Sequence, residues 1–308
     1  MVALIFPGQG SQYAGMGKEL AENFPVARQV FEEADDALQF KISTLCFQGP
    51  EEDLKLTANT QPAILTTSVA ALRVLESELH LTPAYLAGHS LGEYSALVAS
   101  GALAFADAVK TVRSRGIFMQ EAVPVGTGSM AAILGLDGKD LEDVCREAAQ
   151  GDVVAPANFN SPGQVVIAGH VQAVDRAITL AKEKGAKKAM PLPVSAPFHC
   201  SLMIPAGLRL KEVLDDVKVS AMKMPVVSNV EALPNQDYAQ IKDLLVRQVS
   251  APVRWDESVL KMVDLGVDRF VEVGPGKVLS GLARRIAKGI PVGNLEDTVS
   301  LKNLQANF

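Results

Sequence analysis

Short apolar runs alternate with longer helical patterns along most of this 308-residue chain. Strands are predicted at residues 4–6, 84–87, 225–228 and 269–273, and helices at 26–38, 62–78, 93–100 and 106–120. Alternation of this kind is typical of α/β proteins built around a parallel sheet. The chain is therefore expected to form an α/β layered fold.

The middle of the chain follows a different pattern. Residues 124–129 are rich in glycine and small side chains and are predicted to be a linker. The elements after it are predicted at 130–134, 139–149, 153–158, 164–168, 171–184 and 187–192, in the order β-α-β-β-α-β. That order is typical of a ferredoxin-like unit. We expect a small inserted domain at 127–193, with 1–126 and 194–308 forming one discontinuous larger domain.

Composition excludes several classes of protein. The chain is 48% hydrophobic, which is enough for a large core, and its net charge of -6 argues against nucleic acid as the main ligand. Its three cysteines, Cys46, Cys145 and Cys200, are isolated, and its four histidines lack zinc-type spacing. The apolar N-terminal run is too short for a signal peptide or a membrane span. We expect a cytoplasmic protein without a metal site and without a membrane association.

Gly88-His89-Ser90-Leu91-Gly92 matches the G-x-S-x-G nucleophile elbow, and it lies between a predicted strand and a predicted helix. The glycines permit a sharp turn that larger side chains would obstruct. Free N–H groups at the start of the following helix favour developing negative charge. Ser90 is therefore the candidate nucleophile. The alternative is an ordinary strand-to-helix turn in which the serine only caps the helix.

A serine nucleophile needs a base, and four histidines are available. His199 is the best candidate, because Ser195-Ala196-Pro197-Phe198-His199 is a proline-constrained loop where the chain returns to the larger domain. The other three are less well placed: His80 ends a helix, His89 directly precedes the nucleophile and His170 lies in the small domain. The alternative is that His199 has no catalytic role.

Two glycine-rich segments fail the tests for nucleotide-binding loops. In Phe6-Pro7-Gly8-Gln9-Gly10-Ser11 the last glycine of a dinucleotide fingerprint is replaced by Tyr13, and no G-K-[ST] follows. Gly274-Pro275-Gly276-Lys277 fails in the same way. We therefore expect no nucleotide cofactor. The first loop follows a strand directly, so it is a candidate source of an oxyanion-hole N–H, or else simply a tight turn.

Two arginines flank the apolar stripe of the helix at 106–120. Arg113 lies at one edge and Arg115 at the other. Either guanidinium is suited to binding a carboxylate through two parallel hydrogen bonds. Spacing alone does not choose between them, and most arginines in such positions extend into solvent.

Five motifs together resemble the malonyl-CoA:acyl carrier protein transacylase family. They are Phe6-Pro7-Gly8-Gln9-Gly10-Ser11-Gln12, Gly88-His89-Ser90-Leu91-Gly92-Glu93, Arg115-Gly116-x-x-Met119-Gln120, Phe198-His199 and Val273-Gly274-Pro275-Gly276, in the family's order. The resemblance extends over essentially the whole chain. It implies an α/β-hydrolase-like large domain with a ferredoxin-like insert, which agrees with the pattern of elements.

The resemblance also implies a reaction. A malonyl group would pass from malonyl-CoA to Ser90 and then to the phosphopantetheine thiol of acyl carrier protein. His199 would activate the serine, and the main-chain carbonyl of Gln248 would orient that histidine in place of an acidic residue. The amides of Gln9 and Leu91 would form the oxyanion hole. No bound cofactor is implied, and the family suggests a monomer. A stand-alone chain favours a carrier protein of fatty-acid synthesis, with polyketide synthesis as the alternative.

Substrate selection is implied by the same resemblance. Arg115, rather than Arg113, would bind the malonyl carboxylate. Phe198 resembles the residue of enzymes that select malonyl over methylmalonyl groups, where it fills space beside the α-carbon. Asn160 and Gln61 are further candidates for the lining of the site.

Two other functions remain open at this point. A serine hydrolase such as a thioesterase would share the elbow, the base and the oxyanion hole. A non-catalytic partner-binding module on the same fold is the second, because fold does not fix function. If an acidic carrier protein is the partner, the basic candidates for its docking are Arg284, Arg285 and Lys288, or Lys182, Lys184, Lys187 and Lys188. A solvated helix face is the alternative for either cluster.

Overall fold

The computed structural model describes residues 1–194 and 196–307. Ser195, in the predicted loop before His199, lies outside the described residues. The strands are β1 (Val2–Phe6), β2 (Tyr85–Gly88), β3 (Gly128–Leu134), β4 (Val154–Ser161), β5 (Gln164–His170), β6 (Lys188–Pro191), β7 (Val226–Val227), β8 (Pro234–Asn235), β9 (Val253–Arg254), β10 (Arg269–Val273) and β11 (Val292–Leu295).

Helices surround both sheets. They are α1 (Lys18–Asn23), α2 (Pro25–Leu38), α3 (Ile42–Gln48), α4 (Glu51–Lys55), α5 (Thr57–Glu78), α6 (Gly92–Ala99), α7 (Phe105–Glu121), α8 (Gly138–Ala149), α9 (Val171–Glu183), α10 (Ile204–Asp215), α11 (Ile241–Ser250), α12 (Trp255–Asp264), α13 (Val278–Ile286) and α14 (Thr298–Asn307). None of them, within the described part of the chain, is long and apolar enough to cross a membrane.

The larger sheet has the strand order β11-β10-β1-β2-β7-β8. All neighbours are parallel except the edge strand β8, which runs antiparallel to β7. Side chains of β1 alternate between two cores: Leu4 and Phe6 pack on one face, Ala3 and Ile5 on the other. Because a strand projects successive side chains to opposite faces, this continuous apolar run is buried on both sides, as is typical of parallel sheets. The prediction of a mixed α/β protein is confirmed.

The smaller sheet has the order β6-β3-β5-β4-β9. Its first four strands are antiparallel neighbours, and the chain passes through β3, α8, β4, β5, α9 and β6 in the predicted sequence of elements. α8 and α9 bury their apolar faces against it, with Leu141 and Ala177 in the shared core. The fifth strand, β9, comes from outside 127–193 and runs parallel to β4.

The predicted boundaries lie within three residues of the observed ones except at the start of α5. α5 begins at Thr57, five residues before the predicted start at Pro62, which lies inside the helix. Proline favours the first helical position, where its missing N–H has no partner to lose, whereas Pro62 lies inside α5 and removes one main-chain hydrogen bond. The predicted linker at 124–129 overlaps β3, whose first residue, Gly128, pairs with His170. A glycine is required at this position because a Cβ would lie 2.3 Å from the ring of Pro197.

The turn between β2 and α6 depends on two close backbone approaches. A Cβ on Gly92 would lie 2.1 Å from the carbonyl oxygen of Phe6, and one on Gly88 would lie 1.9 Å from the carbonyl carbon of Gly92. Only glycine permits both contacts. They bring the N-terminus of α6 against the carboxyl ends of β1 and β2, and Ser90 lies at this edge of the sheet.

Candidate active site

Ser90 is held in a strained backbone conformation. Its φ of 52° lies in the left-handed region, which is uncommon for residues other than glycine. The Ser90 N–H donates to Oδ1 of Asn229 at 2.6 Å, and Nδ2 of Asn229 donates to the carbonyl of Gly88 at 2.7 Å. Asn229 is fully buried and therefore fixes the turn from both sides of the serine. Such strain persists only where surrounding contacts hold it.

His199 lies directly against the nucleophile. Its Nε2 is 2.8 Å from Ser90 Oγ, and its Nδ1 is 2.9 Å from the carbonyl oxygen of Gln248. A carbonyl only accepts hydrogen bonds, so Nδ1 carries the proton and Nε2 of the neutral ring is free to accept from the serine hydroxyl. Burial and the positive charge of Arg115 lower the pKa of His199 to about 3. The imidazole is therefore neutral, and able to act as a base, throughout the ordinary pH range.

This depressed pKa predicts an unusual pH profile. A group whose pKa is lowered to about 3 remains deprotonated as the pH falls through 6.5, the usual value for histidine. We expect the second-order rate of Ser90 labelling by a fluorophosphonate to remain constant from pH 7 to pH 5. The rate is read by intact mass, with circular dichroism at each pH as the control for folding. Because Glu93 has a pKa of about 7, Glu93→Gln is measured alongside, and a fall to half the rate near pH 6.5 in both proteins would contradict the assignment.

Arg115 is 1% exposed and points at the nucleophile. Nη1 donates to Oε1 of Gln61 at 2.8 Å, and Nη2 donates to Ser90 Oγ at 3.0 Å and to Oε1 of Gln248 at 2.9 Å. All three acceptors are neutral, and among the described residues no carboxylate forms an ion pair with this guanidinium. A buried cation held only by neutral acceptors is suited to an incoming anion.

The side chain of Gln248 connects Arg115 to an acidic residue. Nε2 of Gln248 donates to the main-chain carbonyl of Ser90 at 2.9 Å and to Oε2 of Glu93 at 2.7 Å. The N–H of Asn229 donates to the same carboxylate oxygen at 3.0 Å. Burial raises the pKa of Glu93 to about 7, against the hydrogen bonds from Asn229 and Gln248 and the charge of Arg115.

A cavity of about 320 Å³ opens in front of Ser90. Its wall combines residues of the smaller sheet, Met130 of β3 and Val166 of β5, with Leu279 of helix α13. The wall contains most of the predicted site residues, namely Gln9, Gln61, Leu91, Arg115, Asn160 and Phe198, but Gln248 is not part of it. Volumes of this order and mixed apolar walls with a few polar groups are typical of small-molecule sites.

The two amides predicted for an oxyanion hole both belong to residues that line this cavity. Gln9 lies in the loop after β1, and Leu91 immediately precedes α6. The hydrogen bonds that hold the turn use other amides: Ser90 N donates to Asn229, and Gly92 N donates to the carbonyl of His89. A tetrahedral oxyanion is stabilised by two such N–H groups from different elements, and this role for Gln9 and Leu91 stays a prediction.

The alternative residues have other contacts, and of these Arg113, His80 and His170 lie outside the cavity wall whereas His89 is part of it. Arg113 donates to Asn59 at 3.2 Å and stacks on Phe40. The other three histidines have different environments: His80 is exposed, His89 contacts Oδ1 of Asn160 at 2.8 Å, and His170 accepts from the N–H of Val153. Of the four histidine rings, the one that contacts Ser90 Oγ belongs to His199.

Sequence reasoning did not assign Asn229, the side chain of Gln248, or Glu93. Of these, only Glu93 has an indication in the sequence of a role at the site. It directly follows the G-x-S-x-G motif, and it is an acidic residue in the first turn of a buried helix. No cluster of metal-ligating side chains occurs among the described residues. The site therefore has the parts for nucleophilic acyl transfer: a nucleophile, a neutral base, candidate oxyanion donors and a buried cation.

Comparison with known proteins gives the family. A sequence model of the acyl transferase domain matches residues 3–302. The malonyl CoA-acyl carrier protein transacylase of Bacillus subtilis is 51% identical over 302 residues, which is 98% of this chain and 95% of that protein. This chain belongs to the malonyl CoA-acyl carrier protein transacylase family. It is accordingly an acyltransferase. The transacylase of Escherichia coli K12 is 52% identical over 96% of both chains.

Solved structures of family members agree over the whole length. An acyl carrier protein S-malonyltransferase from Vibrio cholerae has a TM-score of 0.96 at 50% identity and covers 98% of this chain and 99% of that one. A malonyl-transacylase solved in complex with a type II polyketide acyl-carrier protein has a TM-score of 0.97 at 48% identity, covering 100% and 99% of the two chains. These values establish the fold as that of the family.

Proposed function

We propose that this enzyme transfers a malonyl group from malonyl-CoA to the phosphopantetheine thiol of acyl carrier protein, through a malonyl-Ser90 intermediate. The observation that carries the proposal is the buried Arg115 guanidinium, which lies 3.0 Å from Ser90 Oγ and is held only by neutral acceptors. An acyl group with a free carboxylate would satisfy that cation while its thioester carbonyl faces the serine. The names of relatives about 50% identical support the same substrates.

The reaction has two matched halves. In the first, Nε2 of His199 takes the Ser90 proton as Oγ attacks the thioester carbonyl, and the C–S bond then breaks. The imidazolium returns that proton to the leaving sulfur of coenzyme A. In the second half, His199 takes the proton of the carrier's thiol as its sulfur attacks the malonyl ester, and it then reprotonates Ser90. Each half moves one acyl group and one proton, so no redox or metal cofactor is required.

Main-chain groups support the charges that form during these steps. The amides of Gln9 and Leu91 would hold the oxyanion, and the loss of one such donor typically costs about 2.7–4 kcal/mol. The carbonyl of Gln248, 2.9 Å from Nδ1, would stabilise the imidazolium and fix its orientation. A neutral carbonyl would thus take the place of the acid in a Ser-His-Asp triad.

Substrate choice would follow from three further residues in the cavity. Arg115 would bind the malonyl carboxylate. Phe198, which is 8% exposed and directly precedes His199, would occupy the space beside the α-carbon and disfavour a methyl branch. Asn160, fixed by its 2.8 Å contact with His89, would face the acyl chain or the pantetheine arm.

The direct test is intact-mass spectrometry after brief incubation with malonyl-CoA. Wild type is expected to gain a malonyl adduct that discharges when carrier protein is added, and Ser90→Ala is expected to gain none. Free malonate accumulating without an adduct would favour the thioesterase alternative. A Ser90→Ala variant equal to wild type in every assay would favour the non-catalytic binding module.

The proposal extends to the domain organisation, the location of the enzyme and the surface that the carrier protein approaches. Residues 127–193 would form a ferredoxin-like domain inserted into an α/β-hydrolase-like domain made of 1–126 and 194–308. The enzyme would act as a cytoplasmic monomer supplying fatty-acid synthesis. The carrier would approach the cavity mouth beside α13, because Arg285 donates at 2.6 Å to Gln164, a residue of the cavity wall. Arg284 and Lys288 lie exposed beside it, whereas Lys184, in the other cluster, pairs with Glu147.

A further inference from the structure

We propose that Glu93 positions Arg115 for the acyl carboxylate by holding the side-chain amide of Gln248 in a single orientation. The inference deepens the proposed malonyl transfer and rests on it. Glu93 touches neither Ser90 Oγ nor His199, so the chemical steps described above make no use of it. Yet it is an acidic residue only 3% exposed, and such residues are rarely buried without a specific partner.

The two ends of the Gln248 amide face opposite kinds of partner. Oε1 accepts from Nη2 of Arg115 at 2.9 Å, and Nε2 donates to the Ser90 carbonyl at 2.9 Å and to Glu93 Oε2 at 2.7 Å. If the amide rotated by half a turn, its N–H groups would face a guanidinium that has only donors. Its oxygen would face two acceptors. The contact of Nε2 with Glu93 Oε2 is the shortest of these three, at 2.7 Å, so Glu93 does most to exclude the rotated state.

The insertion of Gln248 between Glu93 and Arg115 has a consequence for binding. A carboxylate in direct contact with Arg115 would compete with the carboxylate of the substrate. A neutral amide oxygen is a weaker partner and can be displaced by an anion. Glu93 therefore acts through Gln248. It fixes the side-chain amide that holds the guanidinium beside Ser90, and the charge of Arg115 remains available to the carboxylate of the substrate.

Glu93 also accepts from the N–H of Asn229 at 3.0 Å, and Asn229 holds the Ser90 turn. This second contact defines the competing explanation, in which Glu93 only stabilises the turn. The two explanations differ in their effect on substrates. Damage to the turn would slow every acyl donor equally, whereas displacement of Arg115 would slow a donor with a carboxylate more than one without it.

The test compares the rates of acyl-Ser90 formation from malonyl-CoA and from acetyl-CoA, measured by intact mass. In Glu93→Ala the malonyl-to-acetyl rate ratio is expected to fall on the order of tenfold, the effect of losing a hydrogen bond to a charged group. Glu93→Gln is expected to retain the ratio, because its amide oxygen can accept from both Gln248 and Asn229. Ser95→Ala, on the same buried helix with a hydroxyl that has no partner among the described residues, is the matched control and should retain it too.

A double variant gives the independent check. In an Arg115→Ala background, Glu93→Ala is expected to leave the ratio unchanged, because the residue through which it acts is already absent. If Glu93→Ala does not fold, Glu93→Asp replaces it, since the shorter side chain does not reach Gln248. Equal slowing of both donors, or a ratio lost in Glu93→Gln, would overturn the inference. Wild type that forms no malonyl-serine at all would instead refute the proposed function.

Discussion

Replacement of His199 by alanine is expected to slow the acylation of Ser90 by malonyl-CoA by about 10²–10⁴-fold, the usual contribution of a positioned general base. The reason is geometric: Nε2 lies 2.8 Å from Ser90 Oγ, and its neutral form is secured by the low pKa. The effect should fall on kcat, with little change in KM, because the ring does not hold the ground-state substrate. Single-turnover mass spectrometry measures the step directly.

The control for this variant is His80→Ala, since that side chain is exposed and is not part of the cavity wall. We expect its acylation rate to equal that of wild type. Thermal unfolding of His199→Ala should be measured alongside, because the substitution removes a buried ring. A folded His199→Ala protein that retained the wild-type acylation rate would exclude the residue as the base, and His89 would then be the next candidate.

The large sheet was predictable because its strands carry a local pattern. Residues 269–273 were assigned with the bounds that β10 has, and β1 differs from its predicted run only at the N-terminal end. An apolar run of this length, closed by glycine and followed by a helix, identifies a buried parallel strand. Strands β8, β9 and β11 were not predicted: β8 and β9 have two residues each, and β11, Val292–Leu295, has a glycine and an asparagine in place of an apolar run.

The site was predictable only in part, and for a related reason. Ser90 lies in a local motif, and His199 could be reached by elimination among four histidines. The hydrogen bonds that hold these two residues in place could not be predicted from the sequence. Gln248 is 158 positions from Ser90, and Asn229 is 139 positions away, so no spacing in the sequence relates them to the nucleophile. Such contacts are made by the packing of α11 and the segment after β7 against the turn, which is a property of the tertiary fold.

The choice between Arg113 and Arg115 illustrates the same limit. Two helical residues that are two positions apart, such as Arg113 and Arg115, project about 200° apart. Each can therefore lie at one edge of the same apolar stripe. The structure places Arg115 in the cavity and Arg113 on Phe40 because α7 packs against α5 with that rotation. Helical periodicity defines which residues share a face, and the neighbouring helix decides which face is buried.

Replacement of Arg115 by alanine is expected to remove the preference for malonyl groups. Loss of a buried charge partner typically costs about 2–5 kcal/mol, which corresponds to roughly 30- to 5,000-fold in kcat/KM for malonyl transfer. Acetyl transfer should fall much less, because acetyl has no carboxylate and Ser90 and His199 remain in contact. The measurement is the pair of kcat/KM values for malonyl-CoA and acetyl-CoA with the same carrier protein.

Arg113→Ala is the matched control, since it removes the same side chain from the same helix but outside the cavity. It should leave the malonyl-to-acetyl ratio unchanged. Arg115→Lys separates charge from geometry: it retains a cation but not the planar fork, so the ratio should lie between those of wild type and Arg115→Ala. Arg115→Ala also leaves Oε1 of Gln61 and Oε1 of Gln248 without a hydrogen-bond donor. That loss lowers the stability of the site and would slow acyl transfer from malonyl-CoA and from acetyl-CoA to the same extent. A selective loss of malonyl transfer is therefore the decisive result, and parallel losses for the two donors would exclude Arg115 as the carboxylate-binding residue.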